Sequence, residues 1–234
     1  MSPKSLRYKA DIKQKMGCHT DDLYLIHGLF RQAFSRAADV INQADPSDTS
    51  RVNLIANHYW EMLQFLHDHH LSEDEILWGL LKQRAPETIP IVDELKQQHD
   101  VIAQQITQLV QRLEDWRNNP TAKEPLTTEM AEFAVLVEAH LSQEEQTAKP
   151  VAAKVLKQAE WDQMRKGRKS EIPMKRLPML LGMMLESSPK EEYRQEFWDE
   201  FPAPVHWLYR WFGQSAVRKE WDEIYRTSPT NFQV

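Results

Sequence analysis

Apolar residues recur every three to four positions along most of this chain of 234 residues, and no segment beyond a few residues alternates with a period of two. That period confines the chain to helices. Four long ones are predicted: 21–43, following Thr20 as a cap and ending before Asp45-Pro46; from 50 to just before Pro86; 87–118; and 128–158. Short polar loops between them set neighbours antiparallel, which predicts an all-α fold built on an up-down four-helix bundle. The third segment carries the clearest seam, with Leu95, His99, Ile102, Ile106, Leu109 and Leu113 at alternating steps of four and three. Pro150 falls inside the pattern of the fourth, where it should kink the helix and free the carbonyl of Gln146.

The remainder of the chain has another character. Residues 159–176 form a predicted linker whose end, RKGRKSEIPMKR, is basic and irregular. Residues 177–234 read as an extension of two or three shorter helices broken at Pro189, Pro202 and Pro204. Trp198, Trp207, Trp211 and Trp221 are expected to pack it onto the bundle. A net charge of −6 argues against nucleic acid as a partner. The single cysteine, Cys18, excludes an internal disulfide and any cysteine-built zinc or iron–sulfur site, and reads as a plain thiol. The first residues lack an apolar targeting core, and the longest apolar run, LPMLLGMML, is too short to cross a bilayer. A cytoplasmic, non-membrane protein is expected.

Histidines and carboxylates on the apolar stripes carry the chemistry. His27 lies in line with Leu23, Phe30 and Phe34; His69 with Met62, Phe65 and Leu66; His99 between Leu95 and Ile102; His140 with Phe133 and Val137. Glu73 and Glu144 follow His69 and His140 by four residues, an offset of only about 40° around a helix. A buried, unpaired carboxylate or imidazole costs several kcal/mol, so these six groups must satisfy one another or share a partner. Metal ions are the natural partner. Imidazole and carboxylate without thiolate suit iron or manganese, and also zinc, rather than calcium or magnesium. Four nitrogens and two bridging carboxylates would fill roughly eight of about twelve positions around two six-coordinate ions. A bridging oxygen fills two more, leaving room for dioxygen, peroxide or nitric oxide. His67 and His70 flank His69 and are expected to project to other faces; His19, His58 and His206 carry no ligand signal. Tyr24, one turn before His27, reads mainly as packing.

This order, His27, His69-x-x-x-Glu73, His99, His140-x-x-x-Glu144, resembles the hemerythrin-like family, or HHE cation-binding domain. The local text HHLSEDEILW and HLSQEEQTAKP is similar to that family's second and fourth helices, and the resemblance covers about residues 19–158. FPAPVHWLYRWFG looks like the C-terminal extension of some bacterial members. The resemblance implies two iron ions with an oxo or hydroxo bridge, held inside the bundle. It also exposes two departures. Leu95 stands where oxygen-carrying members have a further histidine, which is expected to leave the centre more open and unlike a reversible oxygen carrier. Those members place the last carboxylate five residues after its histidine, at Glu145, whereas helix phase favours Glu144, with Glu145 as the alternate.

Two functional classes follow. One is a redox protein that binds or decomposes dioxygen, hydrogen peroxide or nitric oxide, with catalase- or peroxidase-like turnover. The other is an iron- or oxygen-responsive sensor or iron store without turnover, in which the extension meets a protein partner. Repair of iron centres uses added cysteine pairs in this family, and the chain has none. Ferritin-type oxidases use Glu-x-x-His pairs, also absent.

Overall fold

A computed structural model describes residues 16–166, 176–188, 190–199, 201 and 203–226. The bundle consists of α1 (Asp22–Ser35) with α2 (Ala37–Asn42), α3 (Thr49–Ser72) with α4 (Trp78–Arg84), α5 (Ile89–Asn118), and α6 (Glu124–Gln146) with α7 (Ala148–Val155). It is closed by packing α3 on α5, α5 on α6, and α6 back on α1 and α2. Three of the four expected helices are therefore interrupted. The first breaks at Arg36. The fourth breaks at Thr147, where the Pro150 ring forbids continuation and the Thr147 hydroxyl donates to the carbonyl of Gln143 at 2.6 Å. The second passes through a π-helical turn, Glu73–Leu77, before resuming as α4.

Local chemistry sets the other ends. Asp48 accepts the backbone N–H of Arg51 at 3.0 Å, capping α3. Pro90 and Pro125 occupy the first turns of α5 and α6, where a missing N–H costs nothing. The core between the helices holds Phe30, Phe34, Tyr59, Leu66, Ile102, Met130 and Phe133, all essentially inaccessible. A second apolar cluster gathers Leu23, Leu77, Trp78, Leu81, Val92, Leu95, Ala152 and Trp161 on the far side of the polar cluster described below. Trp161 belongs to α8 (Gln158–Lys166), so the first residues of the expected linker are helical and packed. Residues 167–175 of that linker, Pro189 and Pro202 lie outside the described residues.

The extension comprises α9 (Leu177–Ser187), α10 (Glu191–Asp199), α11 (Ala203–Leu208), a π-helical turn (Tyr209–Gly213) and α12 (Gln214–Tyr225). Pro204 does not break it but sits in the first turn of α11. Trp198 and Trp221 are buried against the bundle core, whereas Trp207 and Trp211 are 53% and 66% exposed and pack on each other. α9 lies so close to α1 that a Cβ on Gly28 would stand 2.6 Å from the carbonyl oxygen of Ser187, so only glycine fits.

α12 is latched to α3 by polar groups. His58 and the Tyr225 hydroxyl are 2.7 Å apart in a buried hydrogen bond, and Arg51 donates to the last carbonyls of α12. Arg176 pairs with Glu220 of α12 and with Glu61 of α3, and Arg36 lies over the Trp221 and Tyr225 rings. Burial pushes the His58 imidazole down to about 3. The unfolded chain therefore binds this proton more readily than the folded one. His58 costs nothing above its ordinary value near 6.5, and stability is lost as pH falls from there towards 3. His58→Gln should flatten that acid limb in a plot of melting temperature against pH. Trp221→Ala should cost about 3–5 kcal/mol in denaturant unfolding, the usual range for emptying a buried indole site.

Candidate metal centre

Six side chains singled out by helical phase meet inside the bundle. His27 comes from α1, His69 from the last turn of α3, Glu73 from the π-turn, His99 from α5, and His140 and Glu144 from α6; all are buried. The His27 and His69 Nε2 atoms are 3.3 Å apart, as are His69 Nε2 and Glu73 Oε1. His99 and His140 bring their Nε2 atoms to 3.2 Å. The two glutamates lie between these pairs. Glu73 Oε2 is 3.6 Å from His99 Nε2, and Glu144 Oε2 is 3.5 Å from His27 Nε2 and 3.9 Å from His140 Nε2.

A seventh residue belongs to this group. His70, expected on another face, is buried, with its ring stacked on His99 at 4.0 Å and edge-on to His140 at 4.8 Å. In a four-helix bundle each helix faces two neighbours, so consecutive residues about 100° apart can both point inward. His69 takes the side towards α1, and His70 the side towards α5. The donors thus fall into two sets. One ligand atom from each of His27, His69, Glu73 and Glu144 lies within 4.8 Å of the others, and the same holds for His70, His99 and His140.

Three of the outer nitrogens have anchors. His27 Nδ1 donates to Glu145 at 2.9 Å, His99 Nδ1 to Asp74 at 2.8 Å, and His140 Nδ1 to the Gln98 carbonyl at 2.9 Å. With their protons on Nδ1, these three imidazoles turn bare Nε2 lone pairs inward. Glu145 is thus behind His27 and not among the converging atoms, and Arg31 holds its other side. Burial alone would raise the Glu145 carboxyl, but the hydrogen bonds from His27 and Arg31 outweigh it and hold it at about 2. Asp74 is lowered in the same way, burial being outweighed by His99. The π-turn places Glu73 inward and still lets Asp74 reach His99, a local widening of the kind found at functional sites.

The electrostatics inside favour a positive charge. Among the described residues no hydrogen-bond donor reaches any of the four oxygens of Glu73 and Glu144, nor the His70 Nε2. Burial, then the charge of Glu144, raises the Glu73 carboxyl well above its usual range. Burial, then the neighbouring imidazoles, pushes His69 and His70 far below theirs and His140 down to about 2. Lone pairs facing lone pairs and carboxylates repel, and a positive ion of borderline or hard character is what this donor set fits.

The other candidates lie apart. Tyr24 stacks on Tyr193 of α10 with Lys149 over its ring. His206 bonds the Trp198 carbonyl, and His58 serves the α12 latch. Burial pushes the half-buried Cys18 thiol up to about 12, so it stays protonated. Among the described residues no helix is long and apolar enough to cross a membrane. Searches of curated proteins and of solved structures return no match. A family model does match, over residues 18–152, more than half of the chain and every converging residue above, and its description is the hemerythrin HHE cation-binding domain. The chain belongs to the hemerythrin HHE family, whose domains bind metal cations, usually iron.

Proposed function

We propose that this chain is a non-haem di-iron protein that binds or reacts with dioxygen, hydrogen peroxide or nitric oxide. The observation that carries the proposal is the pair of donor sets joined by two buried carboxylates, each within reach of imidazoles on both sides. His27 and His69 would hold one iron, and His70, His99 and His140 the other, with Glu73 and Glu144 across both. When bound, the iron pair supplies Lewis acidity and one-electron redox chemistry towards small oxygen and nitrogen species.

His70 changes the count. Five imidazoles and two bridging carboxylates fill roughly nine of about twelve positions, and a bridging oxygen two more, leaving about one open. Leu95 is therefore not a net loss of a nitrogen, because His70 supplies it from the neighbouring helix α3. One open position favours binding a single small ligand over the more exposed chemistry expected from sequence. The protein's own groups do the positioning: Glu145, Asp74 and Gln98 fix the imidazole tautomers, and the surrounding Phe30, Leu95 and Trp78 exclude water.

A sensing role without turnover is the second reading, and one contact favours it. Gly28, the residue after His27, touches Ser187 of α9, so a shift of the His27 helix turn is felt directly by the extension.

Anaerobic loading with iron(II), metal analysis and optical spectra before and after peroxide separate these readings. Two irons per chain are expected. A charge-transfer band that decays with peroxide consumption supports redox chemistry; a stable shift without consumption supports sensing. Zinc or manganese taken up in preference to iron would overturn both. His70→Ala should bring the iron content from two towards one while the helical spectrum is kept. Unchanged stoichiometry would remove His70 from the ligand set. Metal removal should lower the melting temperature, since a ligand at about 100 times its dissociation constant adds about 2.7 kcal/mol. Glu73→Gln should shrink the gap between loaded and metal-free forms from both ends, because it deletes a ligand in one and a buried, unpaired carboxylate in the other.

A further inference from the structure

The ligand set does not account for Trp78. Its indole is 2% exposed and lies 5.7 Å, centre to centre, from the His99 ring. Its Nε1–H donates to Asp74 Oδ1 at 2.8 Å, and that same oxygen accepts the His99 Nδ1–H at 2.8 Å. An imidazole, a carboxylate and an indole are thus joined through one atom. Packing alone asks for an apolar ring here, not for an indole sharing the carboxylate that anchors a metal-facing histidine. Trp161, in the same apolar cluster, also donates to a carboxylate, but to Asp22 on α1.

We propose that Trp78 is a one-electron donor to the metal centre during reduction of peroxide. Losing an electron leaves positive charge on the indole. A carboxylate in hydrogen-bond contact within a poorly solvated interior offsets that charge strongly. Lys96, 3.5 Å from the other Asp74 oxygen, pairs with Asp74 from outside and leaves Oδ1 to the two ring N–H groups. The path from indole to imidazole is short: both rings are buried, and the Asp74 side chain between them is 18% exposed.

The electrons balance as follows. Hydrogen peroxide takes up two electrons and two solvent protons, its O–O bond breaks, and two waters form. One electron comes from the metal pair and one from Trp78, whose Nε1 proton stays in its hydrogen bond to Asp74. Two molecules of a small one-electron reductant of the phenol or ascorbate class then restore the metal pair and the indole. The inference rests on the di-iron reading above, and adds to it a route by which electrons enter without the reductant reaching the buried centre.

The test uses the full iron-loaded chain carrying ring-deuterated tryptophan or, separately, ring-deuterated tyrosine. It is mixed with hydrogen peroxide, frozen and read by electron paramagnetic resonance. A radical signal narrowed by the tryptophan label alone is expected. It should be lost in Trp78→Phe at unchanged iron content and kept in Trp161→Phe. Peptide mass spectrometry of the wild-type chain gives a readout that needs no variant: peroxide without reductant should add oxygen to Trp78 before other tryptophans, and ascorbate should suppress it. A signal that follows the tyrosine label, persists in Trp78→Phe or vanishes in Trp161→Phe overturns the assignment. Peroxide consumption by the iron-loaded chain with neither radical nor Trp78 oxidation overturns this inference alone, whereas failure to bind iron overturns it together with the proposed function.

Discussion

The structure turns on a repulsion. Two carboxylates and five imidazoles share a small volume in which, among the described residues, neither the four carboxylate oxygens nor the His70 Nε2 finds a hydrogen-bond donor. Such an arrangement is costly in a low-dielectric core, so the chain must supply compensation elsewhere. It does so by surrounding the polar layer with apolar packing on both sides, one cluster around Phe30, Leu66 and Phe133 and another around Trp78, Leu81 and Trp161. It also ties the back of three imidazoles to fixed acceptors, which costs the binding atoms no freedom when a cation arrives.

Most of the bundle was legible because one face of each helix is apolar, and a polar residue on that face stands out. The same rule made His27, His69, Glu73, His99, His140 and Glu144 visible. It hid His70, because a single-stripe reading assigns only one inward direction to a helix that has two neighbours. The signal was present in the adjacent pair His69-His70 with Glu73 four and three residues on. The choice between Glu144 and Glu145 was framed by helix phase, and here the break at Thr147 falls after both residues and leaves that phase undisturbed.

The extension was less legible, and its aromatic residues explain why. Four tryptophans of equal apolar weight divide into two that are buried and two that face solvent, a difference set by tertiary docking rather than local pattern. His58 shows the same limit. Its partner, Tyr225, is 167 residues away, and no periodicity along α3 announces a hydrogen bond across that separation. Arg176, the last residue of what read as a solvated basic stretch, is instead held between two glutamates.

The π-turn at Glu73–Leu77 carries one more residue than an α-helix would need to cover the same rise. Deleting a single residue within it would let the helix close normally, and the residues after it would keep their faces. Glu73, Trp78 and Leu81 would all stay on the faces they hold now, but Trp78 and Leu81 would stand one residue nearer to Glu73 in the chain. Relatives with a regular helix at this point must therefore be aligned with a gap, and in them the residue matched to Trp78 without one would belong to a different face. One extra residue thus sets the count along the chain between the carboxylate and the indole behind the ligands.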